Sequence, residues 1–491
     1  MPGSEQRTLR PGSGDTPGRA DIVGSRGVEA FALGSNAIPA WILFAAVSAA
    51  PLPFGSTDPS VLAVWCLALG MALMTSSTRR LRPHQIAPMV GSAIVIVAYL
   101  LVMHEQLADH PWSGVAAKTI WDQAAALLGT QIPPSISIVN SEPYFAVGAP
   151  LAALLALSAS CVICSDPLRA RQLLRVISWS ALAYAVLGIV LFLVDPTKVL
   201  WRNKVGYLSN LTGPFTNRNT AAVYFGSGAC ITMLLLLQEL RSYRAGGKRR
   251  ISKIFTSADT AIRWRVGRLA SFVVVLIAAL FMTASRAGVV ISLSGLVFAF
   301  TAFWWRDLTR RRSVLLALAA SAALAIIVLQ LLGGNVGARF NENGVTDAAR
   351  FDIYRSTLHM IANSPWLGSG LGTFAWAFPP YRDSGSVYGV VDRAHNTLLE
   401  IAAEMGVPFA CLIALAWICI MAVLVHGVRV RRRGLITPVA ALAVAAISVL
   451  HSMVDFSLQI SGFAIMVFSL IGAGIAQSFR TPPAEAVVPS S

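Results

Sequence analysis

The sequence predicts an all-α, polytopic membrane protein with about twelve transmembrane helices. Three observations predict it. Of the 491 residues, 55% are hydrophobic and only 13% charged, and the mean hydropathy is +0.65. Apolar runs of about 18–22 residues recur along the chain, long enough to cross a hydrocarbon core. Lys and Arg gather in alternate loops, the mark of a chain held in one orientation across a bilayer. The alternation of apolar and polar residues that a β-barrel strand would show over about ten positions is missing.

The runs lie near residues 37–54, 60–77, 86–104, 147–164, 173–194, 218–238, 269–284, 287–305, 314–333, 397–426, 435–452 and 457–478. The run at 397–426 is long for one span; it either tilts or begins as a helix above the membrane. Residues 1–36 are rich in Gly, Pro, Ser and Arg, lack a signal-peptide apolar core, and read as a disordered cytoplasmic tail. Residues 479–491 read the same way. The expected organisation is tail 1–36, transmembrane domain 37–478 with a large loop at 334–396, and tail 479–491.

Orientation follows from the basic loops. One set holds Arg79, Arg80 and Arg82; Arg169, Arg171 and Arg175; a dense block from Arg241 to Arg268; Arg306 and Arg310 to Arg312; and Arg429 with Arg431 to Arg433. The positive-inside rule places this set in the cytoplasm, with both termini. The joint at Arg286, the turn at 451–457 and the loops at 195–217, 105–146 and 334–396 then face outward. Arg286 sits where that rule disfavours positive charge, so it is not a topology signal.

The net charge of +16 is largely accounted for by these loops. No basic patch is interleaved with aromatic residues as base stacking would need, so nucleic acid is not an expected partner. The six cysteines lie in apolar runs and read as small core residues. Cys161 and Cys164 form a C-x-x-C inside a predicted span, with no second pair. The seven histidines are scattered without metal-ligand spacing. No metal and no cofactor are expected.

The loop at 334–396 has internal structure. "DAARFDIYRSTLHMIA" places Phe351, Tyr354, Leu358 and Ile361 on one helical stripe, flanked by Arg350 and Arg355. "NSPWLGSGLGTF" then breaks the helix with Pro365 and glycines. The helix is expected to lie flat on the outer membrane surface, apolar stripe down.

The outward loops collect Arg286, Arg350, Arg355, Arg393, His395, Asn396 and Asp455, joined by Arg202, Lys204 and Arg218. Guanidinium groups present a fork of donors that fits phosphate oxygens and stay charged at any working pH. Several at headgroup depth suit a lipid-linked diphosphate, both bound and as a leaving group. His395 has the pKa class for proton transfer near neutrality, and Asp455 could orient it or pair with an arginine. Glu400 and Glu404 are alternative carboxylates.

Each residue also has a plainer reading. Arg286 could snorkel to lipid phosphates. Arg350 and Arg355 could anchor an interfacial helix, with Arg355 pairing with Asp352. Asn396 could cap the next helix, and Asp455 could be a turn residue. Their shared placement on one face is the stronger signal.

Four stretches resemble the O-antigen ligase and polysaccharide polymerase superfamily of bacterial membrane glycosyltransferases. "TASRAGVVISL" is similar to its Ser-Arg-Gly/Ala step between two spans. "ARFDIYRSTLHMIANSPWLGSGLGTF" is similar to its arginine-led periplasmic helix and Gly-x-Gly turn. "RAHNTLLEIAAEMGVPFACLIAL" is similar to its His-Asn entry into a span, and "TGPFTNRNTAAVYF" to its Gly-x-Phe-x-Asn-x-Asn element.

The resemblance implies a GT-C-type enzyme of the bacterial inner membrane with a periplasmic site. It implies an undecaprenyl-diphosphate-linked glycan as donor and a sugar hydroxyl as acceptor, without metal or nucleotide sugar. The acceptor would be lipid A–core for a ligase, or a lipid-linked glycan for a polymerase of O-antigen or exopolysaccharide. The family's essential arginines would fall on Arg286 and on Arg350, with Arg355 the near alternative. Its histidine would fall on His395 and, more loosely, its late acidic residue on Asp455. Arg355, Arg393, Asn396, Arg218 and Asp455 are the candidate substrate-binding residues. The rival reading is a transporter or flippase of a lipid-linked saccharide, although the charges gather at one face rather than at the midplane, where transporters place them.

Overall fold

The computed structural model describes residues 36–78, 81, 83–245, 260–306, 348–382, 390–431 and 434–479. In chain order the helices are α1 (Ala37–Ala49), α2 (Pro59–Met74), α3 (Pro83–Leu107), α4 (Ile120–Leu128), α5 (Glu142–Ala146), α6 (Gly148–Ile163), α7 (Pro167–Val194), α8 (Arg218–Ala245), α9 (Thr260–Met282), α10 (Arg286–Trp304), α11 (Ala348–Asn363), α12 (Phe374–Ala377), α13 (Thr397–Met405), α14 (Val407–Val430), α15 (Ile436–Ser452) and α16 (Ser461–Ala476). Two short strands, Lys198–Val199 and Arg202–Asn203, pair antiparallel between α7 and α8.

Among the described residues seven helical stretches are long and apolar enough to cross a membrane: α3, α5 with α6, α7, α8, α9, α10 and α14. The apolar helices α1, α2, α15 and α16 are shorter. The run expected at 314–333 lies outside the described residues, as do residues 1–35, 334–347 and 480–491.

Local signals start the helices. Asp58 and Asp166 each cap a helix whose first residue is proline, accepting from Ser60 N and Leu168 N at 2.9 Å. Small residues let the helices meet. A Cβ at Gly472 of α16 would strike the Leu157 carbonyl of α6, and one at Gly226 of α8 would strike Ser292 of α10. Lipid is as apolar as leucine, so helices in it associate by such close packing rather than by the hydrophobic effect.

A second layer covers one end of the bundle. There α11, α12 and α13 bury Ile353, Met360, Phe374, Phe378 and Ala403 against one another. Gln106, near the end of α3, fastens this layer to the bundle. Its amide donates to the carbonyls of Leu367 (2.6 Å) and Glu404 (2.7 Å) and accepts from Leu371 N (3.1 Å).

Of the two readings of the run at 397–426, the structure has the second, a separate leading helix: Gly406, at φ +87°, divides α13 in the covering layer from α14 in the bundle. On α11 the stripe residues Phe351 and Leu358 are exposed at the protein surface, whereas Ile361 is buried with Ile353, Ser356, Thr357 and Met360. The helix packs on α13, Ile353, Met360 and Ile361 sharing a core with Ala402 and Ala403, and Thr357 satisfies its own hydroxyl on the Ile353 carbonyl at 2.7 Å.

Candidate functional site

Between Met282 and Arg286 the chain reverses direction in three residues. Thr283 donates to the Leu280 carbonyl at 2.7 Å, and Ala284 takes φ +50°. Ser285, in an extended conformation, accepts from Gly288 N at 3.3 Å and so caps α10. Arg286 is therefore the first residue of its helix. That end carries the positive pole of the helix dipole, where a cation is disfavoured by about 0.3–1 kcal/mol. Helix stability does not explain an arginine there; a helix N-terminus and a guanidinium group both attract phosphate.

Ser285 leads directly to the centre of the site. Its hydroxyl donates to Asn219 Oδ1 at 2.7 Å, and Asn219 Nδ2 donates to Asp455 Oδ2 at 2.5 Å. Asn219 stands at the start of α8 and is itself buried. Asp455 occupies the turn between α15 and α16, with its side chain 1% exposed. Its other oxygen accepts from Phe456 N at 2.8 Å.

Two further side chains approach the same carboxylate. Arg350 Nη2 and His395 Nδ1 each lie 3.8 Å from Asp455 Oδ2. At 3.8 Å these are charge contacts rather than hydrogen bonds, and His395 Nδ1 is buried without a hydrogen-bond partner. Burial alone would raise the Asp455 pKa. The contact with the His395 ring and the positive potential of His451, His395 and Arg350 outweigh burial and hold it below the ordinary value of 3.8. Asp455 is thus an anion at neutral pH.

His395 is held in an unusual backbone conformation, φ +52°, in the left-handed region where few residues without a glycine's freedom occur. Tyr354 of α11 secures it, donating to the His395 carbonyl at 3.0 Å and lying 3.2 Å from the Met453 carbonyl. Asn396 follows and caps α13, accepting from Leu398 N and Leu399 N at 3.1 Å each, while its amide donates to Met453 O at 3.2 Å. Its helix-start role is therefore observed.

The other candidates separate from this centre. Arg393 is held by Glu400 at 3.0 Å and Gln459 at 2.9 Å, an ion pair that ties α13 to the turn before α16. Arg355 lies on the exposed face of α11. Arg218 donates to Asn210 at 2.9 Å and lies over the Tyr207 ring at 4.9 Å. Glu400 also accepts from Ala394 N at 2.8 Å. Glu404 accepts from Gly372 N and Phe374 N at 2.9 Å each, so both glutamates shape the covering layer. Burial, then the neighbouring Glu400, push the Glu404 pKa up to about 8, against the lowering effect of those two donors and Arg393.

Asn219, Ser285 and Tyr354 were not singled out from the sequence. All three lie inside stretches whose resemblance was noted, "TGPFTNRNTAAVYF", "TASRAGVVISL" and "ARFDIYRSTLHMIANSPWLGSGLGTF", which is the signal that could have found them. Among the described residues no group of three or more His, Cys, Asp or Glu is placed to hold a metal ion.

The fold and the site define a polytopic helical membrane protein with arginine, histidine and aspartate gathered at one end of its bundle. A family model described as O-antigen ligase matches residues 271–414, and over that stretch the chain is similar to this family. The matched stretch contains Arg286, Arg350 and His395; Asn219 and Asp455 lie outside it. No curated protein matches the chain.

Proposed function

We propose that this chain is a glycosyltransferase of the bacterial inner membrane. It moves a glycan from undecaprenyl diphosphate to an acceptor sugar hydroxyl on the periplasmic face. The observation that carries the reading is the convergence on Asp455. Its carboxylate meets His395 and Arg350 at 3.8 Å each and reaches the residue before Arg286 through Asn219 and Ser285.

The roles follow from the chemistry. Arg286 and Arg350 bind the donor diphosphate and take up the charge that develops as it leaves. His395 presents Nδ1 to Asp455, which leaves Nε2 to accept the proton of the acceptor hydroxyl. The hydroxyl oxygen attacks the anomeric carbon in line, the bond from that carbon to the diphosphate oxygen breaks, and the configuration inverts. Asp455 stabilises the imidazolium that results. The covering layer of α11, α12 and α13 shields the donor from water, which would otherwise hydrolyse it. No step in this scheme requires a metal ion.

The test uses purified protein with a synthetic undecaprenyl-diphosphate glycan, with and without lipid A–core, in the presence of a chelator. Glycan on lipid A–core makes the enzyme a ligase. A ladder of longer lipid-linked chains without that acceptor makes it a polymerase. Arg286→Ala and His395→Ala should each lower product formation by about a hundredfold or more. Variants that match the wild type would overturn the reading and leave transport of a lipid-linked saccharide as the function to measure.

A further inference from the structure

The end of the bundle away from Arg286 carries a second site of different design. Glu239 lies about 30 Å along α8 from Asn219, at about 1.5 Å per residue. Around it Arg171 and Arg175 of α7 and Arg265 and Arg268 of α9 line a cavity of about 550 Å³. Four guanidinium groups thus share a space with one carboxylate. Among the described residues none of the four takes part in an ion pair.

The positive-inside rule accounts for arginines at this end of the spans but does not ask four of them to share one cavity. Arg175 and Arg268, about two turns inside α7 and α9, line it together with Arg171 and Arg265, and like charges there repel unless an anion joins them. Arg268 also lies over the Trp179 ring at 5.7 Å, and Trp179 meets Phe272 edge-on at 4.7 Å. Tryptophan of this kind marks the headgroup level of a bilayer.

A second cavity, of about 650 Å³, adjoins the first and shares Arg175 and Trp179 with it. It runs between α1 and α7, where its walls include Trp41, Phe44, Val176 and Ala183. Away from Arg175 and Gln172 the lining is mostly apolar or aromatic. A charged cavity and an apolar groove therefore meet at Arg175 and Trp179.

We propose that the two cavities together bind one anionic phospholipid. Its phosphate lies among Arg171, Arg175, Arg265 and Arg268, and an acyl chain lies in the groove between α1 and α7. Charge decides the class of lipid. Four guanidinium groups favour a headgroup with net negative charge and repel the ammonium of a zwitterionic one. Glu239 and Gln238 supply partners for the hydroxyls of a glycerol headgroup. Free phosphate would meet the same arginines but leave the groove unused.

The test uses the full-length protein in phosphatidylcholine nanodiscs containing a minor fraction of phosphatidylglycerol. Native mass spectrometry reads the lipid that stays bound on release. The wild type should retain phosphatidylglycerol about tenfold or more over phosphatidylcholine, and Arg175→Gln with Arg268→Gln should abolish that preference. Arg263→Gln, exposed at the same end of α9 but outside the cavity, should keep it. A photoreactive phosphatidylglycerol should cross-link the wild type within Trp41–Ser48 and Arg175–Tyr184. The cross-link map decides alone if the double variant does not fold. Equal loss in the Arg263→Gln control, cross-links scattered over other helices, or displacement of the lipid by inorganic phosphate at matched concentration would each overturn the proposal.

Discussion

Asn219 donates a 2.5 Å hydrogen bond to Asp455 across 236 residues of sequence. Both side chains are buried, and both orientations are determined. The Asn219 oxygen is occupied by Ser285 at 2.7 Å, so its nitrogen must face the carboxylate. The bond joins the start of α8 to the turn between α15 and α16. It thereby links Arg286, at the start of a bundle helix, to the His395–Arg350 pair of the covering layer.

Asn219→Ala should therefore separate positioning from chemistry. The substitution leaves Ser285 and Asp455 short of a buried partner, which costs about 1–3 kcal/mol of stability. Transfer should fall about tenfold or more because the two halves of the site lose register. Asn219→Asp adds a second buried carboxylate beside Asp455 and should be worse than alanine. Transfer assays with thermal unfolding of the same samples check both points. Full activity in Asn219→Ala would detach this bond from the reaction.

Asp455 makes a pH prediction with a definite sign. Its native pKa is depressed below the ordinary value of 3.8. The native state then binds the carboxylate's proton less readily than the unfolded state does. The resulting stability is fully present above about pH 4 and is lost as pH falls through the depressed native value. Asp455→Asn removes this term. Wild type and variant should differ most near neutrality and converge in acid, as read by thermal unfolding across that range. Transfer by Asp455→Asn should fall about tenfold to a hundredfold, because the imidazolium of His395 loses its counter-ion.

Much of this was legible in the sequence, for physical reasons. Apolar runs of span length have few other uses, so the helical membrane class followed from composition. Arg286 stood out in the sequence because it opposes the topology rule, and the structure adds that it opposes the helix dipole as well. His395 and Asp455 were chosen as a constellation, and the structure brings them together. Partner choice was not legible. Arg393 and Arg350 are equally plausible phosphate ligands on paper, but Glu400 and Gln459 hold the first, whereas the second meets Asp455. The stripe on α11 did not show which residues the protein itself would bury: Ser356 and Thr357 are buried, and Phe351 and Leu358 are exposed. The long run at 397–426 allowed a separate leading helix, and Gly406, followed by Val407 and Pro408, marks where it ends.

Glu404 gives the opposite pH dependence. Its pKa is raised from 4.5 to about 8, so the native state holds a proton that the unfolded state releases. Its contribution is fully present below about pH 4.5 and is lost as pH rises through about 8. The carboxyl takes two backbone donors, and glutamine can accept only one of them. Glu404→Gln should therefore cost about 1 kcal/mol at acid pH but flatten the decline between pH 5 and 9. Parallel thermal unfolding profiles of wild type and variant check it. A decline of equal slope in both would assign the pH dependence to another group.

The break at Gly406 tests how the covering layer is attached. Gly406 has φ +87°, and a Cβ there would run into the Trp366 carbonyl. The next residue, Val407, donates to the Pro365 carbonyl at 2.8 Å, so the backbones of two segments are in direct contact and neither can withdraw. Gly406→Ala combines a backbone conformation (φ +87°, ψ 160°) that is essentially glycine's alone, about 1–3 kcal/mol, with overpacking of about 1–3 kcal/mol. The variant should lose about 2–6 kcal/mol and show a lower unfolding temperature. Gly267 is the contrast. It lies in the middle of α9 with open space where a Cβ would stand, so Gly267→Ala should gain up to about 1 kcal/mol from helix propensity. Opposite shifts for the two variants mark the Gly406 junction as a rigid joint. A neutral Gly406→Ala would mean that α13 and α14 are not held against residues 365–367 in the membrane.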